Sequence, residues 1–462
     1  MNEADRNTAN YDLARLVETQ KAFFESGISA SVSFRREKLR DLESAIVRHS
    51  DDLLAALSAD LGKPPLEAYL AELHFVLTEL RLFIRKLPKW TRPKRVGNPF
   101  YFFPARSEIR MNPYGVTLIA APWNYPFQLS LSPLIGAVGA GNCVVLKPSE
   151  LAPATATLME KIISDVFDPA HVSVATGGVD TGEALLNLPF DYWFYTGSER
   201  IGKLYAEAAA RTLTPVTLEL GGKCPCIIDE TVDLDIAVER IVTAKFFNAG
   251  QTCIAPDFVL VPESMREAFI QKATECLGAS YGTGDWRDLA AIINEFHYQR
   301  LEKLITDDAI CIGRDEPSSR HLAPRLLPTA NWDIPAMKEE IFGPILPVIG
   351  YSSFDETLER MSQLPAPLAL YVFSRSGIIQ ERIAATLRSG SICFNDALKQ
   401  ATNLNLPFGG IGPSGMGRYR GRTGLETFSY SRSVTKRYFL RDAFRTAPPY
   451  GDKLAMLRKF LK

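Results

Sequence analysis

The chain has 462 residues, 46% hydrophobic and 23% charged, the make-up of a soluble globular protein and too long for one ordinary core. Fifty-two basic residues against 53 acidic leave a formal charge of −1, which excludes the basic surface of a nucleic-acid binder and the acidic tract of a disordered chain. Seven irregularly placed cysteines, five scattered histidines and a start without a cationic-then-apolar leader predict no disulfide framework, no metal site and a reducing cytoplasm.

In chain order, residues from about 11 to 90 read as helices. Leu13, Leu16, Val17, Phe23 and Phe24 open an apolar stripe, and Leu39, Leu42, Ile46, Leu53, Leu54 and Leu57 continue one at helical spacing until Gly62-Lys63-Pro64-Pro65 interrupts. Between Trp90 and Pro113, prolines bracket Tyr101-Phe102-Phe103 and Glu108-Ile109-Arg110, which read as the strands of an aromatic hairpin. The most apolar stretch, Val116 to Leu146, is broken by Pro122, Asn124, Pro126 and Pro133. A membrane span needs roughly 20 largely uninterrupted apolar residues, so this is core.

From Gly115 the rhythm is strand, helix, strand. Val116–Ala120, Cys143–Leu146, Val172–Ala175, Trp193–Tyr195 and Val216–Glu219 are apolar strands separated by helical segments. Such alternation predicts a parallel α/β sheet covered on both faces, with ligands beyond the carboxyl ends of its strands. Asn124, Lys147, Gly197 and Glu219 each end or follow a strand. A second α/β unit runs from Lys223 to about Asn395. A Gly/Pro-rich loop (Leu406 to Gly415), a strand (Ser429 to Thr435) and a basic, amphipathic tail (Lys453 to Lys462) follow. The tail reads as a terminal helix, with weak contact to an anionic membrane surface as its alternative.

The chemistry centres on Phe247-Asn248-Ala249-Gly250-Gln251-Thr252-Cys253, a Gly-containing turn between helix and strand. A thiol there, near free backbone N–H groups, is expected to be accessible and depressed in pKa, as a nucleophile requires; by itself the stretch fits a small buried hydrophobe equally well. Glu219, between Leu218 and Leu220, suits a general base raised in pKa by desolvation. Lys147 and Glu150, just beyond a strand, suit a ribose and an adjacent phosphate. Gly197-Ser198-Glu199-Arg200-Ile201-Gly202 opens a helix and suits a pyrophosphate, although it is not the G-x-G-x-x-G fingerprint. The aromatics Tyr125, Trp193, Phe246 and Phe247 fit either an apolar substrate tunnel or core packing.

Five ordered segments carry a resemblance: Ala121-Pro122-Trp123-Asn124-Tyr125-Pro126-Phe127, Leu146-Lys147-Pro148-Ser149-Glu150, Leu218-Glu219-Leu220-Gly221-Gly222-Lys223, the cysteine stretch, and Glu339-Glu340-Ile341-Phe342-Gly343-Pro344. Together, over roughly residues 15 to 435, the chain resembles the aldehyde dehydrogenase superfamily. Ser391-Ile392-Cys393-Phe394-Asn395-Asp396 and Gly412-Pro413-Ser414-Gly415-Met416-Gly417 are similar to the subgroup of fatty, aromatic (class 3) and coniferyl aldehyde dehydrogenases.

The resemblance implies two Rossmann-like α/β domains with a small β oligomerisation element. These would be a cofactor domain over 1–222 carrying a 97–113 hairpin for subunit contact, a catalytic domain over 223–396, and a return segment over 397–462 that pairs across a homodimer. It also implies roles. Cys253 is the nucleophile, Asn124 and the Cys253 N–H hold the oxyanion, and Glu219 activates water. Lys147, Glu150, Gly197, Ser198 and Gly202 bind the cofactor, and Glu340 and Phe342 hold the nicotinamide ribose and ring. The implied reaction is NAD-dependent oxidation of medium-to-long aliphatic or aromatic aldehydes to acids, with NADP possible. Its rivals are a CoA-acylating enzyme, which needs no water-activating glutamate, and a binding homologue that has lost activity.

Overall fold

Helical spacing governs the first 90 residues, and the computed structural model, which describes residues 3–99, 102–440 and 447–460, folds them accordingly. Helices Glu3–Glu25, Val32–Arg48, Ser50–Leu61 and Phe75–Trp90 succeed one another. Ser31 caps the second by accepting the Phe34 N–H. Gly62, at φ 56°, closes the third in a left-handed cap that suits glycine, and Pro64 and Pro65 cannot continue it.

A hairpin follows, with Glu108-Ile109-Arg110 in a strand as expected but its partner strand upstream of Phe102 and Phe103. Strand β1 (Lys94–Val96) pairs antiparallel with β2 (Ala105–Pro113). Phe102 instead lies in a turn, its N–H donated to the Pro99 carbonyl, and Phe103 is exposed. Pro99 and Pro104 have no N–H to give to a ladder, so neither can extend a strand there; Tyr101 lies outside the described residues. Strand β16 (Ser429–Arg437) pairs with β2 along its whole length, from Ser429 opposite Pro113 to Arg437 opposite Ala105. The segment expected to pair across a subunit boundary thus completes a three-stranded sheet, β1-β2-β16, within its own chain.

The first large sheet holds β3 (Val116–Ala120), β4 (Cys143–Lys147), β5 (Val172–Val174), β6 (Tyr192–Thr196) and β7 (Val216–Glu219), all parallel, with β15 (Gly415–Met416) antiparallel at its edge. Its order is β15-β7-β6-β3-β4-β5. Every residue of β3, β4 and β6 is buried, because helices cover both faces. Chain order reverses between β3 and β6, so a crevice opens at their carboxyl ends.

The second sheet draws all its strands from residues 225–394: β8 (Pro225–Ile228), β9 (Phe258–Pro262), β10 (Ile310–Cys311), β11 (Arg325–Leu327), β12 (Ile345–Tyr351), β13 (Ala369–Phe373) and β14 (Ser391–Phe394), in the order β10-β11-β12-β9-β8-β13-β14. Only β10 runs antiparallel. Ile119, Leu146 and Phe194 of the first sheet share one apolar cluster with Cys226, Val259 and Tyr371 of the second. Among the described residues no helix is long and apolar enough to cross a membrane.

Candidate active site

Helix Leu234–Phe246 is capped by Asp233 and stops where three successive residues turn left-handed: Asn248 (φ 54°), Ala249 (φ 50°) and Gly250 (φ 73°). Asparagine and glycine tolerate this region; alanine is held there at a cost of about 1–2 kcal/mol. The surroundings fix the turn. Glu67 Oε2 accepts the Asn248 N–H at 2.8 Å, Gln251 Nε2 donates to Ala291 O at 3.0 Å and Asn248 O at 3.1 Å, and Gln251 Oε1 accepts the Ile293 N–H at 3.0 Å. The turn delivers Cys253 at its end, largely but not wholly buried, and the residue's own backbone N–H lies against its sulfur.

Asn124 lies in the loop after β3, nearly fully buried. Its Nδ2 donates to Gln251 O at 3.0 Å, while its carbonyl accepts Lys63 Nζ at 2.9 Å and Asn248 Nδ2 at 3.0 Å. Next to it, the Tyr125 hydroxyl bonds Thr252 Oγ1 at 2.6 Å. The loop after β3 and the turn before Cys253 are therefore stitched into one piece, with the Asn124 amide and Cys253 on it.

Glu219 ends β7, buried, with no hydrogen-bond partner on either carboxylate oxygen among the described residues. Gly409 roofs it so closely that a Cβ there would lie 2.9 Å from Oε1 and 3.0 Å from Arg418 Cδ. Burial holds the Glu219 carboxyl well above the usual carboxylate range, against the opposing pull of Arg420 and Arg418. That direction agrees with the expectation drawn from its apolar neighbours.

The thiol departs from expectation. Burial first, and the nearby Glu340 carboxylate second, push Cys253 up to about 12, with Arg420 pulling the other way. The free backbone N–H groups of a turn were expected to lower it; here desolvation outweighs them. Cys253 alkylation by iodoacetamide in the cofactor-free enzyme should therefore climb about tenfold per pH unit from pH 7 to 9, as for any thiol far below its pKa. A plateau in that range would contradict the buried, acid-flanked thiol.

The expected cofactor residues line the carboxyl end of the first sheet. Lys147 ends β4, buried, and its Nζ pairs with Glu150 Oε2 at 3.1 Å. Gly197 follows β6, its N–H donated to Glu219 O at 3.0 Å, and a side chain there would collide with the Tyr195 hydroxyl. Ser198 is the N-cap of helix Glu199–Thr212, but its side chain makes no cap bond, so first-turn N–H groups stay open to an anion. Gly202 lets that helix lie against Leu220, where a Cβ would come within 2.6 Å. An ammonium, a carboxylate and an open helix end beside the sheet's switch point suit a dinucleotide.

Glu340 and Phe342 sit on a loop whose main chain is held by charged side chains. Lys223 Nζ donates to Ala336 O at 2.7 Å and Glu339 O at 2.9 Å and pairs with Asp257, whose Oδ1 accepts the Ile341 N–H at 3.0 Å. Arg300 donates to Ile341 O at 2.5 Å. Burial and Asp257 raise the Glu340 carboxyl to about 8, although it accepts the Gly222 N–H. Phe342, at φ 52°, meets Trp123 edge-on with ring centres 5.4 Å apart. The structure thus groups Cys253, Asn124 and Glu340 with the carboxylate of Glu219, and sets Lys147, Glu150, Gly197, Ser198 and Gly202 along the neighbouring sheet edge. Of the aromatics suggested for a tunnel, Trp193 and Phe246 belong to the core instead.

Two parallel sheets meeting over one cysteine and one buried glutamate define a dinucleotide-dependent α/β oxidoreductase. The model of the aldehyde dehydrogenase family matches residues 4–434. The 4,4'-diaponeurosporen-aldehyde dehydrogenase of Staphylococcus aureus (strain NCTC 8325 / PS 47) is 42% identical over 447 residues, covering 96% of this chain and 97% of that one. A dimeric NADP-preferring aldehyde dehydrogenase of Canis lupus familiaris is 39% identical, covering 93% and 96%. The structure described as the substrate-bound state of Staphylococcus aureus AldH superposes with a TM-score of 0.95 at 40% identity, covering 97% of this chain and 99% of that one. The chain belongs to the aldehyde dehydrogenase family. It is an enzyme that oxidises aldehydes to acids with NAD or NADP.

Sequence reasoning gave no role to the groups around these residues: Lys63, Glu72, Gln251, Lys223 and Asp257, which bond to the loops that carry them, and Arg418 and Arg420, whose charges act on Glu219. Lys63 is the instructive case, because a lysine between glycine and proline signals an exposed turn, yet it is 1% exposed.

Proposed function

We propose that this enzyme oxidises medium-to-long aliphatic or aromatic aldehydes through a thioester on Cys253 that water, not CoA, releases. The cofactor is assigned to residues 1–222, the nucleophile to 223–396, and the closing loop and pairing strand to 397–462. The Cys253 thiolate adds to the aldehyde carbon, and the charge developing on oxygen falls to the Asn124 amide and the Cys253 N–H. The bound nicotinamide supplies the hydride acceptor. Glu219 then takes a proton from the water that attacks the thioester.

One observation carries the hydrolytic reading: Glu219 is buried without a single hydrogen-bond partner on its carboxylate among the described residues. Structure alone gives such a carboxylate nothing, since an unpaired buried polar group is destabilising; a water to deprotonate gives it a use. The substrate class is supported by the 42% identical relative, named as a 4,4'-diaponeurosporen-aldehyde dehydrogenase. NAD(P) reduction with an aldehyde panel, with and without added CoA, tests both points. Turnover that depends strictly on CoA overturns the hydrolytic reading, and a preference for short polar aldehydes overturns the substrate class.

Glu150 argues for NAD, because a carboxylate at the ribose repels a 2′-phosphate. NADP use is supported by the dog relative, named as NADP-preferring, and by Lys147, which neutralises part of the Glu150 charge. The wild type is expected to show the lower KM for NAD, and Glu150→Gln to lower the KM for NADP about tenfold, the worth of roughly one charge contact. Equal NAD and NADP constants in the wild type count against the assignment.

A cytoplasmic homodimer completes the reading. The exposed edge β1 of the three-stranded sheet suits subunit contact, and the exposed Leu454 and Met456 of the basic helix Lys453–Phe460 suit weak contact with an anionic membrane. Sedimentation velocity should show a dimer, and vesicles containing phosphatidylserine should pull down the full chain more than a variant ending at residue 446. A monomer, or equal pull-down, removes the respective claim.

A further inference from the structure

We propose that the buried Lys63–Glu72 ion pair is a clamp that sets the Asn124 amide against Cys253, which makes Lys63 a positioning residue for the addition step. The proposal rests on the oxyanion role of Asn124 given above.

Both side chains are fully buried. Lys63 Nζ reaches Glu72 Oε1 at 2.6 Å and Asn124 O at 2.9 Å, and sits 4.2 Å from the centre of the Tyr125 ring. The other oxygen of Glu72 accepts the N–H groups of Phe127 at 3.0 Å and Gln128 at 2.8 Å, where helix Gln128–Ala140 begins. The pair therefore grips the loop after β3 at two points. The ammonium holds the carbonyl of Asn124, and the carboxylate holds the helix end three residues later. Glu67, which fixes the turn before Cys253 through Asn248, also faces Lys63.

Energetics make the pair notable. Removing two charges from water costs several kcal/mol per ion, and packed apolar side chains of the same volume often serve stability as well or better. A loop that only had to be packed needs no such pair. A loop whose amide must meet a developing oxyanion within a fraction of an ångström gains from one, since a displacement of about 1 Å at a reacting centre costs on the order of 100-fold in rate. The stitching of Asn124 to Gln251 and Asn248 fixes the amide relative to the thiol; Lys63 and Glu72 fix the whole loop relative to the helices beneath.

The test is a cycle. Lys63→Met combined with Glu72→Gln removes both charges and leaves the interior neutral. This variant is expected to melt cooperatively, to bind NAD with unchanged affinity by fluorescence titration, and to form its first equivalent of NADH about 10- to 100-fold more slowly. In an Asn124→Ala background the same pair of changes should slow that step no further, since groups acting through one another are not additive. Lys63→Gln, whose amide still donates to one of its two partners, is expected to fall between the pair variant and wild type, and provides the comparison should the pair variant fail to fold. A wild-type first turnover in either Lys63 variant overturns the clamp, as does a full additional loss in the Asn124→Ala background. Asn124→Ala turning over at the wild-type rate sinks the oxyanion reading itself, a separate result.

Discussion

Cys253→Ala is expected to lower aldehyde-dependent NAD(P) reduction by about 10⁴-fold or more, the loss typical when a covalent nucleophile is removed, while cofactor binding stays intact. The turn that presents the residue is held by Glu67, Gln251 and Asn248, not by the sulfur, so the variant should fold and melt as the wild type does. The neighbouring thiol, Cys224, is not placed to substitute. Cys224 donates its S–H to Cys253 O at 3.4 Å, but it is fully buried and its thiol is held well above the usual range by desolvation. Steady-state turnover with a good aldehyde and isothermal titration with NAD form the check. Turnover within tenfold of wild type would remove Cys253 from the chemistry.

The contrast between what was readable in the chain and what was not follows a physical line. Strand positions and the residues after them were legible, because a buried parallel strand is a continuous apolar run and its ligand-facing end is marked by a turn. Asn124, Lys147, Gly197 and Glu219 each end or follow such a strand. The reading of Tyr101-Phe102-Phe103 as a strand fails at Phe102, whose N–H goes to the Pro99 carbonyl in a turn, because the flanking prolines have no N–H for a ladder. The pKa of Cys253 misled for a different reason: local backbone groups can be read from sequence, but desolvation and Glu340, 87 positions away along the chain, belong to the tertiary structure. Lys63 and Glu72 are nine residues apart, yet their value lies in Asn124 and Gln128, which only folding brings near. The candidate catalytic residues sit in contiguous motifs; the side chains that bond to them come from scattered positions.

Glu219→Gln is expected to separate the two halves of the proposed reaction. An amide cannot take a proton from water, so steady-state turnover should fall by about 10²- to 10⁴-fold, while the first equivalent of NADH forms almost as in the wild type. Stopped-flow would show a burst of one per active site, and mass spectrometry an acyl group on Cys253. In the wild type burial keeps Glu219 protonated above the ordinary carboxylate range, so the base is supplied only as pH rises through that raised value. Deacylation should climb with pH and the Gln variant should lose the climb. Folding responds in the opposite sense. Above the ordinary value of 4.5 the unfolded chain has released this proton and the folded chain has not, so stability falls as pH rises until Glu219 ionises in the folded state. The Gln variant should therefore gain in Tm over wild type toward alkaline pH, where its turnover deficit is also greatest. Desolvation is the single cause of both effects. If Glu219→Gln turned over without a burst at the wild-type rate, and melted in parallel with wild type at every pH, the buried carboxylate would be neither base nor burden.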